Sequence, residues 1–334
     1  MTEPILSVRG LTASFGQGAA AVRAVDEVSF DVLPGEVLGL VGESGSGKSV
    51  TLRSLLRLLP AGGRIGGKVL WRGRDVLAMD DAELRSVRGG QISMIFQEPM
   101  TALNPVLPVR VQIEENLRAH TRLDRRGRQA RARELMDLVG IPDAARRLDE
   151  YPHQFSGGMR QRVMIAIALA SDPSLLLADE PTTALDVTIQ DQILNLILDL
   201  RDELSMSVVL VTHDLGVVAA ACDRMAVMYA GRIVEEGTVR EVFAAPHHAY
   251  TRGLLGSVPQ AGTERSMLLS IDGTPPGLSA IPPGCAFHPR CDFATDVCRR
   301  DRPVLVGDGH RHACHNADAV VAAGSPVRKA LDHV

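Results

Sequence analysis

The sequence lacks three features that would each indicate a class of protein. It has no run of about 18 apolar residues, and the best candidate, residues 163–170, is far too short to span a bilayer. Its first residues lack a basic stretch followed by an apolar one, which argues against a signal peptide. Basic and acidic residues nearly balance, 36 against 40, so there is no global positive field for binding nucleic acid. These absences predict a cytoplasmic protein that reaches a membrane only through partners.

Cysteine is scarce and unevenly placed. Five cysteines occur in 334 residues, and four of them lie between positions 285 and 314. Structural disulfides are rare in cytoplasmic proteins, so another use of these thiols is expected. The remaining composition, 45% hydrophobic and 23% charged, is typical of a folded chain with a sizeable core.

The clearest chemical motif lies at residues 42–49, which read GESGSGKS and match the pattern G-x-x-x-x-G-K-[ST]. A strand-like apolar run precedes it and a helical pattern follows, which argues against a chance glycine-rich turn. The glycines allow backbone N–H groups to curl around phosphate oxygens, and the helix adds its dipole. Lys48 would reach the β- and γ-phosphates, and the Ser49 hydroxyl would bind Mg²⁺. The predicted nucleotide contacts are Gly42, Ser44, Gly45, Ser46, Gly47, Lys48, Ser49 and Val50.

Two adjacent carboxylates, Asp179 and Glu180, follow the apolar run at residues 175–178. In phosphate-loop enzymes an acid at such a strand end holds Mg²⁺, and a neighbouring carboxylate polarises the attacking water. A solvated strand end is the alternative. The apolar residues before the pair favour burial instead.

Strand-like and helix-like segments alternate, which predicts an α/β core with a largely parallel sheet. Predicted strands lie at residues 5–8, 28–32, 37–41, 69–71, 91–97, 175–178 and 208–212, and a predicted hairpin lies at 225–236. Residues 110–150 read as helical, and their arginines favour a solvated face with a break at Gly127 over a phosphate-binding surface. No internal repeat is visible, so the chain is expected to hold one nucleotide-binding unit.

Residues 155–162, FSGGMRQR, resemble the signature motif of ATP-binding cassette (ABC) ATPases. With the phosphate loop and the two carboxylates, their order resembles that family over residues 1 to about 258. The resemblance implies an α/β P-loop NTPase core with an N-terminal antiparallel β subdomain. It also implies a helical subdomain inserted at about residues 98–162. Proline and glycine become frequent beyond position 258, so residues 1–258 are predicted to form the nucleotide-binding domain and residues 259–334 a loop-rich extension.

The same resemblance implies a role for four isolated residues. Phe15 resembles the aromatic residue that stacks on adenine, Gln97 the Q-loop glutamine, Asp186 the D-loop aspartate, and His213 the switch histidine. Two cassettes would close head to tail around ATP. Each would then complete the other's γ-phosphate site with Ser156, Gly157 and Gly158.

The catalytic assignments implied by the family follow from this arrangement. Glu180 would act as general base on water, while His213 and Gln97 position the γ-phosphate. The predicted Mg²⁺ ligands are Ser49, Gln97 and Asp179. In transporters of this family a short helix of the membrane subunit docks near Gln97, which makes Glu98 a candidate contact.

Four cysteines cluster near the C-terminus: Cys285, Cys291, Cys298 and Cys314. The stretch around them has little apolar content, so it is expected to need a cross-link or a bound metal to hold a defined fold. Free thiols would not explain the clustering. Zinc would suit four thiolates, with His288, His310, His312 and His315 as alternative ligands, although no C-x-x-C pair is present. An iron–sulfur cluster also takes four cysteines, although the spacings match neither common ferredoxin pattern. Cys222 stands apart and is predicted to be a small core residue.

A second resemblance bears on this choice. Residues 282–291, PPGCAFHPRC, with Cys298 and Cys314 resemble the C-terminal region of the ATP-binding subunits of oligopeptide and dipeptide importers. Residues 97–105 and 245–251 also resemble that subfamily. Members with these cysteines can carry a [4Fe–4S] cluster, so the resemblance favours iron–sulfur over zinc.

The implied function is ATP hydrolysis coupled to peptide uptake at the cytoplasmic face of a membrane. The implied partners are two transmembrane permease subunits, a second ABC ATPase, identical or homologous, and an extracytoplasmic peptide-binding protein. Importers of nickel or another small solute are the nearest alternative. A soluble ABC ATPase acting on nucleic acid or ribosomes is less favoured, because such proteins usually carry two cassettes or a long coiled-coil insertion.

Overall fold

The computed structural model describes residues 3–18, 21–97, 102–183, 185–257 and 271–327. The chain forms two compact units, each built from several stretches of sequence. The first consists of residues 1–3, 33–36 and 78–211, and the second of residues 4–32, 37–77 and 212–334. No helix within the described residues is long and apolar enough to cross a membrane.

The elements follow the predicted alternation. The strands are β1 (Leu6–Phe15), β2 (Val22–Val32), β3 (Val37–Val41), β4 (Arg64–Trp71), β5 (Arg74–Asp75), β6 (Ile92–Ile95), β7 (Leu175–Asp179), β8 (Ser207–Thr212), β9 (Arg224–Tyr229), β10 (Arg232–Thr238) and β11 (Arg311–His312). The α-helices are α1 (Lys48–Leu55), α2 (Asp81–Val87), α3 (Val109–His120), α4 (Arg125–Leu138), α5 (Ala144–Arg147), α6 (Gly157–Leu169), α7 (Val187–Leu204), α8 (Leu215–Ala221), α9 (Val239–Ala244), α10 (Ala249–Gly256), α11 (Asp296–Arg300) and α12 (Ala317–Ala322).

In the first unit, β6, β7 and β8 pair in parallel, with Ile92 opposite Leu175 and Leu175 opposite Ser207. Every residue of β7 and β8 is buried. Strands buried on both faces are typical of a parallel sheet covered by helices, and they explain why the sequence shows continuous apolar runs here. The parallel pairing also directs the carboxyl ends of these strands to one edge, where β7 ends at Asp179.

The arginine-rich helix α4 corrects one expectation. Its first turn contains Gly127, whose N–H donates to the Asp124 side chain at 2.7 Å. The helix therefore begins at Arg125 and continues through Gly127 without the predicted break, because the Asp124 cap outweighs the low helix propensity of glycine. Arg131 pairs with Glu134 and Asp172, as expected of a solvated charged face.

The second unit contains an antiparallel sheet in the order β2-β1-β4-β5. Leu6 of β1 lies opposite both Val32 and Trp71. This sheet confirms the expected N-terminal antiparallel β subdomain. In the same unit β3 runs parallel to β9, and β9 and β10 form the predicted hairpin around Ala230 and Gly231.

The C-terminal extension packs onto the core of the second unit. Its strand β11 pairs with β10, where His312 lies opposite Glu235. Phe287, Val320 and Val327 are buried in one apolar cluster with Tyr229 and Tyr250. The extension is thus stabilised by apolar contacts besides any staple among its cysteines. The predicted boundary at residues 258–259 falls outside the described residues and stays a prediction.

Helix α10 begins with an unusual cap. The Nδ1 atom of His248 accepts a hydrogen bond from the Tyr250 N–H at 3.1 Å, so that nitrogen carries no proton in the folded state. The side chain is only 2% exposed. Burial lowers the pKa of His248 from its ordinary value of 6.5 to about 4.

This cap predicts that the stability of the protein falls as the pH drops from 6.5 toward 4. Over that range the unfolded chain protonates His248 and the folded chain does not, a difference on the order of 3 kcal/mol. Asparagine can still cap the helix and does not titrate. We therefore expect the melting temperature of His248→Asn to depend less on pH than that of the wild type. The exposed His153, changed to Asn, serves as the control and should keep the wild-type slope; an unchanged slope in His248→Asn would contradict the prediction.

Candidate functional site

The predicted phosphate loop connects β3 to α1 in the second unit, and its backbone requires glycine at two positions. Gly42 and Gly47 have φ angles of 152° and 104°, which side-chain-bearing residues rarely adopt. A Cβ atom on Gly42 would lie 2.2 Å from the Met228 carbonyl oxygen. One on Gly47 would lie 2.5 Å from that of Ala24. The loop is therefore held in its curled shape by close packing against neighbouring backbone.

Two polar side chains of this loop suit a phosphate ligand. The buried Nζ of Lys48 donates to the carbonyl oxygens of Gly42 and Glu43 at 2.7 and 3.0 Å. It therefore folds back across the loop that would hold the phosphates. The Ser46 hydroxyl is buried and has no hydrogen-bond partner among the described residues, so it can bind a ligand oxygen. A loop with curled N–H groups, a lysine and a spare hydroxyl fits nucleotide phosphates.

The two carboxylates lie in the first unit, at the end of β7. Asp179 is fully buried, and the Glu180 N–H donates to the Val211 carbonyl oxygen at 3.0 Å. Glu180 has a φ angle of 46°, a left-handed conformation that is uncommon for non-glycine residues. Its Oε2 accepts hydrogen bonds from Thr183 Oγ1 at 2.8 Å and Gln97 Nε2 at 3.3 Å. The fold thus brings together Gln97 and Glu180, which are far apart in sequence.

Other predicted site residues stand at the ends of regular elements. Ser156 caps α6 by accepting from the Met159 N–H, and Asp186 caps α7 by accepting from the Ile189 N–H. Gly157 and Gly158 lie in the first turn of α6, and Ser49 and Val50 lie in the first turn of α1. Phe15 is the last residue of β1 and is half-buried, whereas His213 directly follows β8 and is exposed. Gly45, with a φ angle of 80°, and the exposed Ser44 form the tip of the phosphate loop. Glu98 lies outside the described residues.

The four clustered cysteines are free thiols in the second unit, and Cys298 is the most buried of them. Each sulfur faces hydrogen-bond donors. The backbone N–H groups of Phe287 and His288 face Cys285, and the N–H group of Phe293 faces Cys291. The N–H groups of Asn316 and Ala249 face Cys314. The side-chain amide of Asn316 and the hydroxyl of Thr295 lie near Cys298. Burial nevertheless raises the pKa of Cys285, Cys314 and Cys291, the last to about 12. Without a cation these three thiols are therefore protonated, whereas the donors suit the thiolates that a bound metal would stabilise.

A second group of possible metal ligands has a structural explanation. Glu235, His247 and His310 offer ligand atoms within 4.8 Å of one another. The fully buried Glu235 accepts from the backbone N–H groups of His247 and His248 and lies 2.7 Å from His310 Nε2. Burial raises the pKa of Glu235, but these hydrogen bonds outweigh it and lower the pKa overall. The His247 and His310 rings stack at 4.0 Å and 10°, so their lone pairs run side by side instead of converging.

Comparison with known proteins identifies the family. Residues 25–183 match a family model described as ABC transporter, and residues 234–298 match one described as oligopeptide/dipeptide transporter, C-terminal region. The dipeptide transport ATP-binding protein DppD of Bacillus subtilis (strain 168) is 49% identical over 316 residues, covering 93% of this chain and 94% of that protein. The chain belongs to the ABC transporter ATPase family. A Brucella abortus (strain 2308) protein named "Putative peptide import ATP-binding protein" is 52% identical to this ABC ATPase over 311 residues, with 93% and 94% coverage.

Solved structures agree with the fold of this ABC ATPase. A dimeric ATP-binding cassette in a post-hydrolysis state, bound to ADP and phosphate, matches with a TM-score of 0.63 and 31% identity. The match covers 70% of this chain and 99% of that one. The cbiO1 protein from Clostridium perfringens, part of a transporter complex, matches with a TM-score of 0.61 and 26% identity, covering 72% of this chain and 91% of that one.

Three side chains in contact with the predicted site of this ABC ATPase were not predicted. Thr183 donates to Glu180, and its position three residues later in a turn could have indicated this. The Tyr250 hydroxyl accepts from the Glu43 N–H at 2.7 Å, and Arg290 pairs with the Glu43 carboxylate. These two lie more than 200 residues from Glu43, so no local pattern connects them to the loop.

Proposed function

We propose that this ABC ATPase is the ATP-hydrolysing subunit of an importer for di- or oligopeptides. The observation that carries the proposal is similarity over nearly the whole chain, at 49–52% identity, to proteins named for dipeptide transport and peptide import. The match of residues 234–298 to the oligopeptide/dipeptide transporter C-terminal family supports the same assignment, because this region lies outside the ABC match at residues 25–183.

The proposed complex contains two transmembrane permease subunits, a second ABC ATPase and an extracytoplasmic peptide-binding protein. This chain would sit peripherally on the cytoplasmic face of the membrane. Its nucleotide-binding domain would comprise residues 1–258 and its extension residues 259–334. The helical subdomain at about residues 98–162 would contact a permease near Gln97.

The phosphate loop and α1 would bind the phosphates of ATP through backbone N–H groups, Lys48 and Ser46. Phe15 would stack on adenine, and Ser49, Asp179 and Gln97 would surround Mg²⁺, which supplies positive charge to the phosphates. Ser156, Gly157, Gly158 and Asp186 would face the second cassette. The solved relative that is dimeric supports the pairing of two cassettes.

For hydrolysis, Glu180 would take the proton of the attacking water. A general base must be held within hydrogen-bond reach of that water, and Thr183 and Gln97 orient the Glu180 carboxylate. His213 would position the γ-phosphate. Closure of two cassettes on ATP and their opening after hydrolysis would then drive the permease subunits.

We further propose a [4Fe–4S] cluster on Cys285, Cys291, Cys298 and Cys314, with zinc as the alternative. Zinc binds thiolates at about 2.3 Å, which would draw the sulfur atoms to within about 4 Å of one another. Within the described residues the one group of three or more potential ligands inside 4.8 Å contains no thiol. The thiols nevertheless share a neighbourhood, since Cys298 and Cys314 both raise the pKa of Cys285. Four cysteines are also the ligand set of an iron–sulfur cluster, whose iron would stabilise their thiolates.

Metal analysis of protein purified without oxygen tests the cluster. We expect about four irons with matching acid-labile sulfide per chain, together with visible absorption. Cys298→Ser should reduce the iron content, whereas Cys222→Ser, outside the cluster, should not. Zinc at one equivalent with no sulfide would contradict the iron–sulfur assignment and leave the ATPase assignment intact.

Uptake in cells tests the transport function. Cells that depend on this gene should lose uptake of labelled di- and oligopeptides when the chromosomal copy carries Glu180→Gln. Nickel uptake should not change in the same strain. Loss of nickel uptake with intact peptide uptake would reverse the solute assignment, and robust binding of the purified chain to ribosomes or DNA would contradict a transport role.

A further inference from the structure

Arg290 connects the cysteine segment (residues 285–314) with the phosphate loop. It ends the short turn His288–Arg290 and directly precedes Cys291. Its Nη1 donates to Glu43 Oε2 at 2.8 Å, and its Nη2 donates to Glu43 Oε1 at 2.9 Å. The Arg290 side chain is only 6% exposed. Two parallel, charge-assisted bonds from this buried arginine fix both the position and the orientation of the Glu43 carboxylate, whose side chain is 27% exposed.

Arg290 is itself firmly seated in the C-terminal extension. Its Nε donates to the Asp272 carbonyl oxygen at 2.9 Å, and its Nη2 lies 3.4 Å from that of Gly273. Its Nη1 also donates to the Tyr229 hydroxyl at 3.3 Å, and the guanidinium lies 5.8 Å from the Phe287 ring. All three guanidinium nitrogens are thus used, so the arginine follows any movement of the segment that carries it.

Glu43 is the second residue of the phosphate loop, and its backbone is held as well. Its N–H donates to the buried Tyr250 hydroxyl at 2.7 Å, and its carbonyl oxygen accepts from Lys48 Nζ at 3.0 Å. A shift of this peptide would therefore displace the lysine and the neighbouring N–H groups that would bind phosphate. An unpaired Glu43 carboxylate would also repel the phosphates.

We propose that Arg290 is a positioning residue for ATP binding, which makes the affinity for ATP depend on an ordered cysteine segment. The contact neutralises Glu43 and holds the loop in its curled shape. Loss of the metal from the four thiols would loosen the segment next to Arg290 and weaken ATP binding. This last step rests on the cluster proposed above, whereas the contact between Arg290 and Glu43 does not.

Binding of Mg²⁺-ATP to the full-length chain, measured by calorimetry, tests the contact. We expect Arg290→Ala to weaken binding about tenfold, within the range of typical couplings between sites. Arg290→Lys keeps the charge but loses the two-pronged geometry, so it should fall between the wild type and Arg290→Ala. The control is Arg302→Ala, which removes another arginine of the same segment, paired with Asp26, and should bind ATP like the wild type.

A double-mutant cycle separates this mechanism from a general loss of structure. If Arg290 acts through Glu43, adding Glu43→Ala to Arg290→Ala should cause no further loss of affinity, because the repelling carboxylate is gone. Losses that multiply in the double variant would overturn the proposal. So would wild-type affinity in Arg290→Ala. If Arg290→Ala does not fold, Arg290→Lys, Glu43→Gln and their combination provide the same cycle.

The metal-dependent step has its own test. Cys291→Ser should lose iron and bind ATP more weakly than the wild type, with no additional loss when it is combined with Arg290→Ala. If Cys291→Ser loses iron but binds ATP normally, the metal-dependent step is wrong. If wild-type protein contains no metal at all, the cluster assignment fails, and the Arg290–Glu43 cycle still decides whether the segment positions the loop.

Discussion

Replacing Glu180 by glutamine should lower the rate of ATP hydrolysis about 100- to 10,000-fold and leave ATP binding close to that of the wild type. This range is typical for removal of a general base. Glutamine matches glutamate in size and can still accept the hydrogen bond from Thr183 Oγ1, but it cannot take a proton from water. The variant should therefore keep the geometry at the end of β7 but lose the proton transfer from water.

The measurement is steady-state phosphate release together with calorimetric binding of Mg²⁺-ATP. Glu203→Gln provides the matched control, because Glu203 is exposed near the end of α7 and should turn over like the wild type. Hydrolysis near the wild-type rate in Glu180→Gln would exclude Glu180 as the base. Loss of ATP binding together with hydrolysis would instead assign it a role in binding.

Replacing Lys48 by alanine should weaken ATP binding about 10- to 150-fold, which corresponds to the 1.5–3 kcal/mol typical of a hydrogen bond to a charged group. The Lys48 ammonium group bonds the carbonyl oxygens of Gly42 and Glu43, so its positive charge is already held at the loop. Removing it deletes this charge and also removes the hydrogen bond to the Glu43 carbonyl oxygen. Hydrolysis should fall with binding, in contrast to the Glu180 variant.

Lys68→Ala is the control for this experiment, because Lys68 is exposed on β4. Melting curves of both variants show whether each is folded at the assay temperature. If Lys48→Ala binds ATP as tightly as Lys68→Ala, the assignment of residues 42–49 as the phosphate site is wrong.

The strands and helices of this protein could be predicted from the sequence where a local pattern of residues determines them. The runs of β7 and β8 appeared in the sequence because both faces of these strands are buried, which requires continuous apolar residues. The hairpin of β9 and β10 appeared because two strand-like runs flank the turn at Ala230 and Gly231. The phosphate loop was equally clear, since curling the backbone around phosphate requires glycine at set spacings. The break predicted at Gly127 was wrong, because the Asp124 cap, three residues earlier, stabilises the first turn of the helix that contains it.

The sequence by itself therefore determined the alternation of strands and helices, the phosphate loop and the carboxylate pair, and its similarity to relatives established the ABC family. Each of these features depends on residues that are close together in the chain, so their spacing in the sequence indicates the local structure that they form. Only the tertiary structure showed that the cysteine segment packs on the core of the second unit. It also showed that Arg290 forms an ion pair with Glu43, 247 residues away in the sequence. Long-range ion pairs leave no periodic trace, because any arginine can meet any glutamate once the fold brings them together.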